Sequence, residues 1–243
     1  MKYYIILSYF LFANVSLAQV SPEVLLKESD KSRGGIEDGL SWVSELKTRE
    51  NGQTTVRKFL VKSKGTDAIV EATEPLRTKG EIYVFNDRNM WLVKPDLKKP
   101  VSISPKAKLT GLASNGDIAS TWYSRDYTAV LEKKENIKNE SHYVLLLKAK
   151  TNTTTYDQIR YWINEKTQLA TKADFLSLQG DVLKTAIFRY ENKIKLGDKS
   201  IPFVSEMYIE DKSREDYKSI LKYIDLKTSK YKTGEFNINN IRN

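Results

Sequence analysis

From residue 40 onward the chain alternates apolar and polar positions. Residues 41–50 set Trp42, Ser44 and Leu46 against Val43, Glu45 and Lys47, the period of two expected of a half-buried strand. Asn51-Gly52 follows, a type I′ hairpin signal, and residues 56–64 return as the second strand. The same period predicts strands over 68–73, 81–85 and 89–94, with Asp87-Arg88 turning between the last two. After a gap it resumes over 127–134, 142–150, 156–164, 169–178, 182–191, 201–211 and 217–226. Turns fall at Glu165-Lys166, Gln179-Gly180-Asp181 and Gly197-Asp198. Ahead of the strands, Ser21-Pro22-Glu23 starts a short amphipathic helix that Gly34-Gly35 stops. The gap itself, about residues 95–124, holds Pro95, Pro100, Pro105, Gly111 and Gly116. An irregular stretch of that length in a compact domain is functional or locally helical, and short helices are expected over 106–112 and 117–124. The fold class is therefore mainly β, a single antiparallel meander of about eleven or twelve strands with helical material at the start and in the middle.

Several strands are apolar on both faces: Tyr143-Val144-Leu145-Leu146-Leu147, Met90-Trp91-Leu92-Val93 and the run from Ile159 to Ile163. Such strands need cover on both sides. The middle segment is expected over the concave face of a curved sheet and the N-terminal helix over the convex face. Eleven or so strands enclose more volume than their own side chains fill. That surplus is taken up by a plug or lid, by a ligand, or by leaving the barrel open, and pattern alone does not separate a ligand cavity from an ordinary core.

Composition narrows the chemistry. The 243 residues contain no cysteine and one histidine, His142, which removes disulfides, thiol nucleophiles, Cys-ligated zinc and two-His metal motifs. No metal, cofactor or catalytic residue is expected, and the chain is read as a non-enzyme. Met1-Lys2, an apolar run to Val15 and Ser16-Leu17-Ala18 make a secretory leader over residues 1–18 with cleavage after Ala18. Residues 19–243 then form the mature domain, exported and soluble. Without a cysteine it carries no lipid anchor. Losing the leader removes one lysine and takes the formal charge from +9 to +8.

Asn89-Met90-Trp91-Leu92-Val93-Lys94-Pro95 resembles the aromatic-strand-then-proline signature of LolA-like outer-membrane lipoprotein-sorting proteins. A largely uncharacterised branch of that superfamily is also matched by the block from Pro100 to Pro105, by Leu109 and by Ser114 to Ser120. Tyr123 with Asp126-Tyr127, Leu40-Ser41-Trp42, Glu74-Pro75 with Lys79-Gly80, Tyr156 to Trp162 and Phe236 to Asn239 fit the same branch. The resemblance implies an incomplete antiparallel β-barrel with a central helical lid over an apolar cavity for acyl chains. It also implies a periplasmic carrier that moves a lipoprotein or lipid toward the outer membrane, with an inner-membrane lipid exporter as a partner. The residues expected to line the cavity are Trp42, Phe59, Val61, Val70, Val84, Trp91, Val93, Leu145, Leu147, Phe175, Phe188 and Met207, with Leu109, Leu112 and Ile118 in the lid.

The other motifs carry less. Lys232-Thr233-Gly234 and Ser44-Glu45-Leu46-Lys47 match penicillin-binding signatures, but Ser44 lies inside a strand pattern rather than opening a helix. His142 reads as a satisfied surface histidine. Glu210, Asp211, Glu215 and Asp216 have the wrong spacing for a calcium loop. Lys58, Lys62, Lys148, Lys172 and Lys184 are placed on polar strand faces. Lys94, Lys98, Lys99, Lys106 and Lys108 surround the expected lid and point to an anionic membrane surface as a partner. The competing class is an exported binding module for an anionic envelope polymer; nucleic acid is excluded by export.

Overall fold

The computed structural model describes residues 20–37, 39–87, 89–119, 121–232 and 234–241. The leader expected over 1–18 lies outside them. Helix α1 (Pro22–Lys31) opens the described chain. Strands β1 (Gly39–Glu50), β2 (Gln53–Lys64), β3 (Asp67–Glu74), β4 (Ile82–Asn86), β5 (Asn89–Val93) and β6 (Val101–Ser102) follow. The middle segment contains β7 (Lys108–Thr110), β8 (Ala113–Ser114), a 3-10 turn (Asn115–Ile118) and the single-turn helix α2 (Tyr123–Asp126). Then come β9 (Tyr127–Ile137), β10 (Glu140–Ala149), β11 (Gln158–Asn164), β12 (Ala170–Leu176), β13 (Val182–Arg189), β14 (Asn192–Leu196), β15 (Lys199–Phe203), β16 (Glu206–Asp211) and β17 (Lys218–Ser229).

Thirteen strands form one antiparallel sheet in the order β6-β5-β4-β3-β2-β1-β17-β16-β13-β12-β11-β10-β9. It is curved but not closed, with β6 and β9 as its two edges. Asn51 and Gly52 have φ of 51° and 75°, the left-handed pair that the I′ turn between β1 and β2 requires. The strand count exceeds the expected eleven or so because the middle segment and residues 192–203 contribute short strands. The β14–β15 hairpin leaves the main sheet and folds inward, and Phe203 packs 6.4 Å from both Trp42 and Tyr223 by ring centroid. Residues 201–211, expected as one strand, are thereby divided at Val204-Ser205.

The two faces of the sheet differ sharply. The convex face carries cross-strand charge: Arg189, Glu206, Lys222, Glu45, Lys58 and Glu74 stand opposite one another across six strands in alternating sign. Ion pairs of 3.2–3.4 Å join Arg189 to Glu206, Lys222 to Glu206 and Lys58 to Glu74. Each such exposed pair contributes roughly 0–1 kcal/mol, so the ladder sets register and keeps the face wet more than it stabilises. The concave face is apolar and holds the core. Trp42, Phe59, Tyr161, Phe175 and Phe203 are all at 1% exposure or less.

Helix α1 does not cover the convex face. Leu25 and Leu26 are buried in the concave core, and the helix packs against α2, β9 and β11. Both helical pieces therefore sit inside the curve. The helix expected over 106–112 is instead the β7–β8 hairpin, because Gly111 at φ 53° turns the chain back on itself. The one expected over 117–124 divides into the 3-10 turn and α2. His142 is buried rather than exposed, with its Nδ1 2.9 Å from the Glu140 carbonyl. No helix among the described residues is long and apolar enough to cross a membrane.

Candidate functional site

The concave face and the segment lying in it form the candidate site. Of the twelve residues expected to line an apolar cavity, Trp42, Phe59, Val61, Val70, Leu145, Leu147, Phe175, Phe188 and Met207 belong to the buried concave cluster. Val84, Trp91 and Val93 do not. Tyr83, Phe85 and Met90 take the inward positions of β4 and β5, with Leu92 packed against them. Val84 pairs with Trp91, and Ile82 with Val93, on the opposite face. One residue of parity separates the two assignments, and a strand apolar on both faces does not announce which set is inside.

Residues 94–126 run from the β5–β6 edge to the β9 edge and fill the open side. Ile118, Ala113 and Ala119 are buried in the core, and Leu109 and Leu112 are half-buried against it. The tip of the β7–β8 hairpin reaches across to β1, β17 and β13. The Leu112 amide donates to Ser219 Oγ at 3.0 Å, and Lys184 Nζ donates to the Leu112 carbonyl at 2.5 Å. A Cβ on Gly111 would stand 2.5 Å from Thr48 Cγ2 and 2.6 Å from Ser219 Oγ, so glycine is required both for the positive φ and for the approach.

Lys184 is the centre of the first of two buried polar networks. It faces inward on β13, in step with Ala186 and Phe188, and not along a polar face as its neighbours in sequence suggest. Its ammonium lies 3.6 Å from Asp117 Oδ2 and 4.8 Å from the centroid of the Tyr156 ring, which stacks on Phe175 at 3.9 Å. Asp117 accepts from the Tyr156 hydroxyl at 2.6 and 2.8 Å and from the Ser114 amide at 2.8 Å. Burial lowers the pKa of Lys184 and raises that of Tyr156 well above the ordinary phenol value. Breaking such a buried pair from one side costs roughly 3–5 kcal/mol, so this network bolts the middle segment to the sheet.

The second network lies at the C-terminal end of α1. Asp30 accepts from the amides of Tyr123 and Ser124 at 3.1 and 2.7 Å, and burial pushes its pKa up to about 7. Arg33, 4% exposed, donates from Nη1 to the Tyr161 hydroxyl at 3.0 Å and from Nη2 to Thr121 Oγ1 at 3.5 Å. Its guanidinium carbon stands 4.1 Å from the centroid of Phe188, 5.2 Å from Tyr123 and 6.0 Å from Tyr161. Nothing in the local sequence marks Arg33 or Asp30, since a charged residue at a helix end is ordinarily solvated.

A groove of about 690 Å³ opens at the end of the sheet between the β2–β3 turn, Trp122, Arg125 and the C-terminal tail at Lys232 and Phe236. Trp122 also lines two narrower slots. One, of about 80 Å³, reaches Gly116 and Thr155, and one of about 50 Å³ reaches Asp117, Thr121, Tyr123 and Tyr156. Of the five lysines expected around a lid, Lys94, Lys106 and Lys108 are paired with Glu81, Asp157 and Glu50.

A wide antiparallel sheet, open at its edges, with an apolar concavity filled by a crossing segment, defines an incomplete half-barrel. It superposes on a LolA superfamily protein of Nitrosomonas europaea with a TM-score of 0.80 and 29% identity, covering 90% of this chain and 98% of that one. A putative outer membrane lipoprotein-sorting protein domain of Vibrio parahaemolyticus gives 0.75 and 18%, over 89% and 96%. A DUF1329 family protein of Desulfovibrio piger gives 0.71 and 21%, over 89% and 95%. A family model described as an uncharacterized protein matches residues 64–243, while no curated protein matches significantly. The chain belongs to that family and is a LolA-like family member.

Proposed function

We propose that this protein is a periplasmic carrier that takes up the acyl chains of a lipoprotein or lipid in its concave face and passes them toward the outer membrane. An inner-membrane lipid exporter is the proposed donor. The observation that carries the reading is the composition of the filling. The concavity is occupied by a segment that contributes Leu109, Leu112, Ala113, Ile118 and Ala119 to an otherwise continuous apolar wall, and that enters from one sheet edge and leaves at the other. Such a segment protects the apolar surface from water while no cargo is bound. Its withdrawal exposes Phe59, Leu145, Phe175 and their neighbours to an incoming chain. Each buried methylene returns about 0.8 kcal/mol, so a chain of ordinary length offsets both the displaced apolar contacts and the loss of the Lys184 bolt. The likeness to a lipoprotein-sorting domain supports the same reading.

The groove at the mouth sets Lys64, Arg125 and Lys232 against Glu37 and Asp67, a balance that gives an anionic polymer little net attraction. The pairing of Lys94, Lys106 and Lys108 also reduces the pull of the lid region on an anionic membrane. Protein isolated from the periplasm is expected to carry lipid visible by native mass spectrometry, and delipidated protein to bind a fluorescent fatty-acid probe that the lipid displaces. Absence of both would overturn the carrier reading.

A further inference from the structure

We infer that Arg33 is an anion site inside the concavity, built to hold the carboxylate or phosphate of an anionic amphiphile. The inference rests on the carrier reading and adds the chemical class of cargo. The guanidinium is removed from solvent, yet its hydrogen-bond partners, Tyr161 and Thr121, are neutral hydroxyls, and its Nε has no partner among the described residues. The nearby acid, Asp30, gives its two carboxylate oxygens to the amides of Tyr123 and Ser124. No ion pair among the described residues includes Arg33, in contrast to Lys184, which has Asp117. Aromatic faces surround it instead. A buried guanidinium without a directly paired carboxylate is expensive; the rings return a fraction of that cost, and Asp30 acts on it only through space. Its planar fork matches carboxylate and phosphate oxygens. Thr121 and Tyr123, both in contact with Arg33, also line the slot of about 50 Å³ that Trp122 borders. The Tyr190 hydroxyl, also without a partner among the described residues, supplies a further donor in the field of the same guanidinium.

The test compares three amphiphiles of one chain length, palmitate, hexadecyl phosphate and hexadecanol, by displacement of a neutral fluorescent probe from delipidated protein. Wild type is expected to bind one or both anions at least ten-fold more tightly than the alcohol, and the tighter anion identifies the head group. Arg33→Gln is expected to keep its alcohol affinity and lose the preference, and Arg33→Lys to retain part of it. Equal binding of all three by wild type overturns the anion site and leaves the carrier standing. This arm needs no variant to fold. A preference that survives Arg33→Gln also overturns it. Failure of all three to bind removes the carrier reading itself.

Discussion

Among the described residues two buried cations face the concave interior, and they are held in opposite ways. Lys184 has a carboxylate at 3.6 Å, a carbonyl cap and two aromatic faces. Arg33 has rings, hydroxyls and an Nε without a partner among the described residues. The first arrangement is closed: every group in it belongs to the chain, and its effect is to hold Leu112 and Ser114 against β13. The second leaves one buried donor, the Nε, without an acceptor among the described residues. Burial of charge alone does not reveal a role; the completeness of the surrounding shell does. Lys184, with its shell complete, serves as a strut, whereas Arg33 is the proposed anion site.

The sharpest way to break this contrast is to replace each cation by an apolar residue of similar length. Lys184→Met leaves Asp117 buried without its cation, and is expected to cost about 3–5 kcal/mol in urea denaturation. A loss below about 1 kcal/mol would show that the bolt does not carry the middle segment.

Acidity gives a second measurement. Asp30 has an ordinary value of 3.8 and holds its proton up to about 7 in the folded chain. Between those values the folded state binds a proton that the unfolded state has released, so this group's contribution to stability falls as pH rises. At about 1.4 kcal/mol per unit the ceiling is on the order of 4 kcal/mol across that window. Asp30→Asn is expected to flatten the decline. A wild-type-minus-variant difference that stays constant from about pH 4 to about pH 7 would mean that Asp30 is ionised throughout and serves Arg33 as a counter-charge. The smallest effect is expected at Arg33 itself: Arg33→Met should leave stability within about 1 kcal/mol of wild type, or raise it. A loss as large as that of Lys184→Met would make Arg33 a strut too.

Much of the sheet was legible in the sequence because alternation, Asn51-Gly52 and the Gly180 and Gly197 turns are local signals. Where both faces of a strand are apolar, as in Met90 to Val93, the alternation loses its phase: Val84, Trp91 and Val93 read as inward, while Tyr83, Phe85 and Met90 hold the positions in the concave cluster. Lys184 misleads for the converse reason. Its charge suggests a wet face, although its spacing from Phe188, an expected interior residue, places it inside. The middle segment resisted reading because its conformation is dictated by distant partners: Thr48 and Ser219 fix the tip at Gly111, and Thr155 lies where a side chain on Gly116 would be. The resemblance in residues 89–127 located that segment without giving its shape. Arg33 and Asp30 left no trace, since their burial follows from α1 docking inside the curve, a tertiary event with no local signature.

The pairing of β1 with β17 has a consequence for how the molecule is made. Residues 39–50 lie at the middle of the sheet, zipped along nearly their whole length to residues 218–229. A chain delivered N-terminus first, from a ribosome or through a channel, holds one half-sheet with an unpaired central strand until almost its last residues emerge. Contacts of such sequence separation fold slowly, and an open apolar strand edge invites mispairing in the interval. The hairpins β1–β5 and β9–β13 are therefore expected to form early, with the seam between β1 and β17 as the late step that unites them.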